Sequence, residues 1–212
     1  CDKALRPFTS WSLLEQLAAP EDRARFDEID VIQPMLFAIE VALAAVWRAW
    51  GVEPDAVVGH SMGEAAAAYV AGALSLEEAS ALICRRSQLM KRLSGKGAMA
   101  VVELSLNDAE AAVAAYAGRL GVAVNNGPRS TVISGEPEAL AALVAELQSR
   151  DVFCRPVKVD VAAHSPQMEP LRPELEAALA AFRPQPSTVP IVSTVTGRVI
   201  AGETLDAAYW GR

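Results

Sequence analysis

A five-residue turn with glycine at both ends, Gly59-His60-Ser61-Met62-Gly63, constrains this chain more than any other stretch. Before it, Ala56-Val57-Val58 reads as a buried strand of four or five residues that breaks at Gly59. After it, a helical stretch begins at once and runs from Glu64 to about Leu74. Upstream, Leu36, Ile39, Leu43, Val46 and Trp50 recur at three- and four-residue steps. That spacing predicts a helix from Pro34 to Trp50, with Pro34 as first helical residue and Gly51 closing the end. Helix, strand, tight turn, helix is the grammar of an α/β fold around a parallel sheet. G-x-S-x-G between strand and helix holds the serine exposed at the top of the sheet. The Met62 amide and the positive end of the following helix then face the place where an oxyanion would form. Ser61 is therefore a candidate nucleophile; the competing reading is a glycine-rich turn in which Ser61 only caps the helix.

Ser75-Leu76-Glu77-Glu78 has the pattern of a capping box, and the helix it opens should reach about Leu93. Leu76, Ala79, Leu82, Ile83, Leu89, Met90 and Leu93 fall in one stripe of that helix, and Arg86 falls at its middle. A cation centred on an apolar face needs an anionic partner. Either Asp or Glu of this chain supplies it, or a ligand does. Further on, strands are expected over 98–104, 121–124, 131–134 and 152–161, with helices over 107–117 and 137–149. The order β-α-β-β-α-β matches a ferredoxin-like unit over 97–162. It would be inserted into a larger α/β part formed by 1–96 and 163–212. A helix from Pro170 to Phe182 and a strand near 191–195 complete the expected elements.

Composition excludes several classes. With 19 Lys and Arg against 26 Asp and Glu, the net charge of −7 argues against a nucleic-acid binder. The apolar run Ala65 to Leu74, interrupted by Gly72, falls short of the roughly 20 residues a membrane span needs. Cys1, Cys84 and Cys154 are too scattered for a disulfide framework or a metal site, and read as reduced thiols of a cytoplasmic protein. Both ends of the chain read as cuts through something longer. A serine nucleophile needs a base, and there are two histidines. His60 leaves the strand on the side away from Ser61, which leaves His164 as the candidate base. Whether an acid orients His164 is not readable from the sequence; Asp160 gives a triad no support, because four residues along a strand span more than about 10 Å.

The string GHSMGEAAAAYVAGAL from Gly59 to Leu74, with Ser75-Leu76-Glu77-Glu78-Ala79 and Arg85-Arg86-Ser87, resembles the acyltransferase domains of modular type I polyketide synthases. Gln33-Pro34, Asn125-Asn126-Gly127-Pro128, His164-Ser165-Pro166-Gln167-Met168, Ser193-Thr194-Val195-Thr196-Gly197 and Tyr209-Trp210 are similar to that family in order and spacing. More distantly, the chain is similar to stand-alone malonyl-CoA:acyl carrier protein transacylases. The resemblance implies an α/β-hydrolase-like large subdomain with a ferredoxin-like small one. It implies Ser61 as acylated nucleophile, His164 as base, the Met62 amide in the oxyanion hole, and Arg86 on the free carboxylate of a malonyl-type group. Met62, Val161, Ala162 and Ala163 match positions that the family uses to discriminate extender units. The family's Gly-Gln-Gly strand, which carries a second oxyanion donor, has no match before Ser61.

The expected function is loading of a malonyl-type unit from coenzyme A, through an acyl-serine, onto the phosphopantetheine of an acyl carrier protein. No bound cofactor and no metal are expected. Neighbouring ketosynthase and other synthase domains of the same polypeptide are the further partners implied. Ala163 lacks the bulk that would crowd an α-methyl group, which points to methylmalonyl over malonyl. A serine hydrolase or editing thioesterase shares the elbow and the base, but has no use for a fixed cation in its acyl pocket. A catalytically inactive fragment is the third reading.

Overall fold

The computed structural model describes residues 1–116 and 118–212. The chain runs through α1 (Asp2–Leu5), α2 (Leu13–Ala18), α3 (Ile29–Ala49), β1 (Val57–Val58), α4 (Gly63–Val70) and α5 (Leu76–Lys91). Next come β2 (Ala98–Val102), α6 (Leu106–Ala114), β3 (Leu120–Gly127), β4 (Ser130–Gly135), α7 (Pro137–Ser149) and β5 (Cys154–Pro156). A 3-10 turn over Pro166–Leu171 leads to α8 (Arg172–Ala178), β6 (Ile191–Ser193), β7 (Arg198–Ile200) and α9 (Ala207–Trp210). The fold is α/β. Two compact units form, Cys1–Leu89 with Arg172–Arg212, and Met90–Leu171. The expected small lobe, 97–162, lies wholly inside the second.

In the first unit, β1 pairs parallel to β6, and β6 pairs antiparallel to β7. Sequence reading missed β7. It also made β1 too long and too deep: the strand is two residues, and Val58 is 65% exposed at the sheet edge. α4 packs closely because Ala65 to Ala68 carry only methyl groups, all buried. The Ala71 carbonyl accepts from the Thr188 amide and hydroxyl, and the Ala73 carbonyl from the Gln185 amide, which anchors the segment leading to β6.

α3 corrects two expectations. It begins five residues before Pro34, which sits inside the helix. The expected core stripe is also the outer one. Leu36, Ile39, Leu43, Val46 and Trp50 are exposed, while Val31, Pro34, Met35, Phe37, Ala38 and Val41 are buried. The helix is apolar almost all round, so periodicity alone could not choose the buried face. For the same reason α3 is the one helix among the described residues long and apolar enough, by length and composition, to cross a membrane. It carries Glu40 midway and packs against α4.

The capping box forms as expected. The Glu78 amide donates to the Ser75 hydroxyl at 3.1 Å, and the Ser75 amide donates to the Glu78 carboxylate at 3.0 Å. In the second unit the strand order is β3-β4-β2-β5, antiparallel throughout. Val102, Ala109, Leu120, Ile133, Leu140, Leu143 and Leu147 form its core, with α6 and α7 contributing. The expected helix end at Ala117 lies outside the described residues, and α6 stops at Ala114. The last strand is shorter than the expected 152–161: it spans Cys154–Pro156, and beyond it one more bond to β2 forms, from the Val157 amide to the Met99 carbonyl at 2.8 Å. α8 likewise ends at Ala178 rather than Phe182.

Candidate active site

Ser61 sits at φ 53°, in the left-handed region that a serine adopts only under constraint. The constraint is visible at Gly59. A Cβ there would lie 2.2 Å from the Gly63 backbone, so the first glycine of the turn has no substitute. A Cβ at Gly63 would meet nothing nearer than Glu40 Oε1 at 3.8 Å. The Gly63 amide donates to the His60 carbonyl and the Glu64 amide to the Ser61 carbonyl, starting α4 directly behind the serine. The Met62 N–H bonds to no acceptor among the described residues. That leaves an open donor on the residue next to Ser61, the kind of group an attacked carbonyl would need. His60 is exposed.

Arg86, half-buried on α5, donates through Nη1 to Gln33 Oε1 at 2.8 Å and through Nη2 to Ser61 Oγ at 3.3 Å. Both acceptors are neutral. No carboxylate among the described residues pairs with its guanidinium, so the internal ion pair is not how this chain satisfies Arg86. Burial pushes the guanidinium down to about 10, which leaves it charged at neutral pH. Gln33 belongs to the Gln33-Pro34 motif but had no role in the sequence reading, since an amide beside a proline in an apolar helix carries no chemistry of its own. Arg85 faces elsewhere, donating to the Ala178 carbonyl and lying over the Phe8 ring.

In the second unit, His164 is exposed and takes φ 57°, again the left-handed region. Its turn is fixed locally. Ser165 Oγ donates to the Ala162 carbonyl at 2.7 Å and accepts from the Gln167 amide at 3.2 Å. Val161 and Ala162 are buried, the latter against Gly97, where a Cβ would lie 2.0 Å from the Ala162 nitrogen. Ala163 is half-buried, so of the three residues before His164 it is the most open to a ligand. Asp160 is engaged otherwise: its carboxylate accepts from the Ser94 hydroxyl and the Gly95 amide.

One buried polar cluster was assigned no chemistry from the sequence, although Thr194 and Tyr209 stand in two of the family-like motifs. The Glu64 carboxylate, in the first turn of α4, accepts from the Thr194 amide (2.6 Å), the Thr194 hydroxyl (2.8 Å) and the Tyr209 hydroxyl (2.9 Å). Burial, against an opposing bond from Ser193, pushes the Tyr209 phenol up to about 12, with the Glu64 charge adding to the rise. Among the described residues no cluster of His, Cys, Asp and Glu could hold a metal ion.

A family model described as the acyl transferase domain matches residues 1–212. The spectinabilin polyketide synthase system protein NorA′ of Streptomyces orinoci is 50% identical over 213 residues, covering 100% of this chain and 6% of that one. The crystal structure of the acyltransferase domain from module 8 of the salinomycin polyketide synthase superposes with TM-score 0.96 at 45% identity. That match covers 100% of this chain and 50% of the other. A type II polyketide synthase malonyl-transacylase, solved in complex with its acyl-carrier protein, gives TM-score 0.88 at 25% identity over 99% of this chain and 70% of that one.

Proposed function

The chain belongs to the acyl transferase domain family, and we propose that it moves a malonyl-type group from coenzyme A, through Ser61, to the phosphopantetheine thiol of an acyl carrier protein. In the first half, His164 takes the Ser61 proton as Oγ attacks the thioester carbonyl. The Met62 N–H stabilises the oxyanion, and the coenzyme A thiolate leaves, taking the proton back from His164. In the second half the carrier thiol attacks the acyl-serine, and His164 reverses its role. Throughout, Arg86 holds the carboxylate of the acyl group by a charge-assisted pair.

The single observation that carries this reading is the Arg86 guanidinium lying on Ser61 Oγ with only neutral acceptors. A hydrolase or editing thioesterase would have no reason to keep a desolvated cation there. The strand order of the second unit supports a ferredoxin-like small subdomain, and the parallel β1–β6 pair of the first unit is in keeping with an α/β-hydrolase-like large one. The chain spans 6% of the NorA′ length, in keeping with ketosynthase and other synthase domains as neighbours on one cytoplasmic polypeptide. Ala163, the most open of the three residues before His164, favours methylmalonyl over malonyl.

Incubation with malonyl- and methylmalonyl-coenzyme A, read by intact mass, tests the proposal. A stable adduct that disappears in Ser61→Ala supports transfer, and competition between the two esters decides the extender. Rapid release as free acid would point to the hydrolase instead, and folded protein without an adduct to an inactive domain.

A further inference from the structure

Ser61 and Met62 lie between Gly59 and Glu64, and one residue reaches both of these, its amide donating to Glu64 and its single hydroxyl proton shared between the Gly59 carbonyl and the Glu64 carboxylate. Thr194, just past the end of β6, places its hydroxyl 3.1 Å from the Gly59 carbonyl and 2.8 Å from Glu64 Oε1. Its amide donates to the same carboxylate oxygen at 2.6 Å. The other oxygen, Oε2, accepts from the Tyr209 hydroxyl, which also meets Ser193 Oγ at 2.6 Å. Ser193 is itself fixed, its hydroxyl oxygen accepting from the Val195 and Thr196 amides at 3.2 Å each. Tyr209 is held by α9, whose N-cap Asp206 accepts from the Tyr209 amide. The result is a continuous bracket. The strand end that enters the turn and the helix start that leaves it are both tied to one threonine, and the carboxylate between them is fixed from behind by a buried phenol.

We propose that Thr194, with Tyr209 behind Glu64, is a positioning residue that holds the 59–64 turn so that the Ser61 hydroxyl and the Met62 amide keep their places. The proposal rests on the reading of Ser61 as the acylated nucleophile. The turn needs such a bracket because Ser61 is in the left-handed region, which persists only when its surroundings over-determine it. Gly59 gives the turn its space, and the Thr194 hydroxyl gives it a fixed end. Thr194 is exposed on its outer side, so removal of its hydroxyl leaves the hydrophobic core intact. Neither Thr194 nor Tyr209 touches the acyl group in this account. Their removal should therefore slow chemistry without weakening substrate binding by Arg86.

The test compares Thr194→Val, Thr194→Ser and Tyr209→Phe with the wild-type chain, well below the melting temperature of each. Acylation by malonyl-coenzyme A gives kcat and KM, and amide hydrogen exchange at Gly63 and Glu64 reports the turn directly. Thr194→Val and Tyr209→Phe are expected to lower kcat by about 10- to 100-fold with KM little changed, the scale of a displacement near 1 Å. Exchange at Gly63 and Glu64 should rise in both. Thr194→Ser keeps the hydroxyl and should restore rate and protection together. A lower melting temperature with unaltered kcat and exchange in Thr194→Val and Tyr209→Phe would overturn the proposal, leaving these groups as ordinary structure. Should the wild-type chain take no acyl group at all, the nucleophile reading fails, and exchange alone decides the bracket: faster in the two variants upholds it, unchanged refutes it.

Discussion

Arg86→Ala separates a ligand-binding cation from a structural one, because the two roles move stability in opposite directions. The guanidinium is lowered from 12.5 to about 10 by burial. At about 1.4 kcal/mol per pKa unit, that is a desolvation cost of about 3 kcal/mol carried by the folded protein. Its two bonds, to Gln33 and Ser61, are to neutral oxygens and recover part of that cost. Removal of the side chain should therefore leave the melting temperature unchanged or raise it. An internal ion pair would have predicted a fall. Transfer from malonyl-coenzyme A should respond quite differently. A carboxylate entering the pocket without its counter-ion loses about 3–4 kcal/mol, so kcat/KM should drop by roughly 10²- to 10³-fold. Acetyl-coenzyme A carries no carboxylate and should be spared. Arg86→Lys should recover only part of the malonyl rate, since an ammonium lacks the planar fork. The assay is acylation of Ser61 by the two esters, with thermal denaturation recorded on the same samples. Equal loss of both activities, together with a lower melting temperature, would refute carboxylate binding.

The two glycines of the turn should behave unequally. Gly59→Ala drives a methyl group to 2.2 Å from the Gly63 backbone and should prevent folding or cost about 3 kcal/mol or more in urea denaturation. Gly63→Ala has room, with Glu40 Oε1 at 3.8 Å, and should be neutral or stabilise by up to about 1 kcal/mol. Equal damage from both would show the spacing argument wrong. At Glu78, burial opposes the charge, but bonds from the Arg183 amide and from Ser75 outweigh it and hold the carboxyl below its ordinary value of 4.5. Its stabilisation is therefore present above pH 4.5 and lost as pH falls through the lowered folded value, so the difference in melting temperature between wild type and Glu78→Gln should shrink on acidification. A difference that grows at low pH would contradict the sign.

The parts of this fold legible in the sequence are those decided within a few residues. The Ser75–Glu78 box, the glycine-flanked turn at Ser61 and α7, which spans Pro137–Ser149 as expected, all follow from local backbone chemistry. α3 shows where that reasoning stops. Its period is helical, but with apolar residues on both faces the sequence does not say which one is covered, and the stripe expected inside is the exposed one. Short strands failed for a related reason. Two or three residues of β1 or β5 are strand because of their partners, β6 and β2, rather than through any pattern of their own.

The candidate site divides along the same line. Ser61 was legible because its motif supplies the conformation; Arg86 was legible because a cation in an apolar stripe is a local contradiction. Which neutral oxygen of the chain holds the guanidinium was not, since Gln33 lies 53 residues away in sequence. The bracket around the turn is more remote still. Thr194 reaches back 135 residues to Gly59, and Tyr209 reaches back 145 to Glu64. Both stand in motifs that carry the family resemblance, but nothing in either motif says that the two meet at one carboxylate. A motif announces the residue that would react, because the strain on it must be resolved by its immediate neighbours. The groups that hold it still come from wherever the chain returns, and they become visible only when the donors and acceptors of a buried carboxylate are traced one by one.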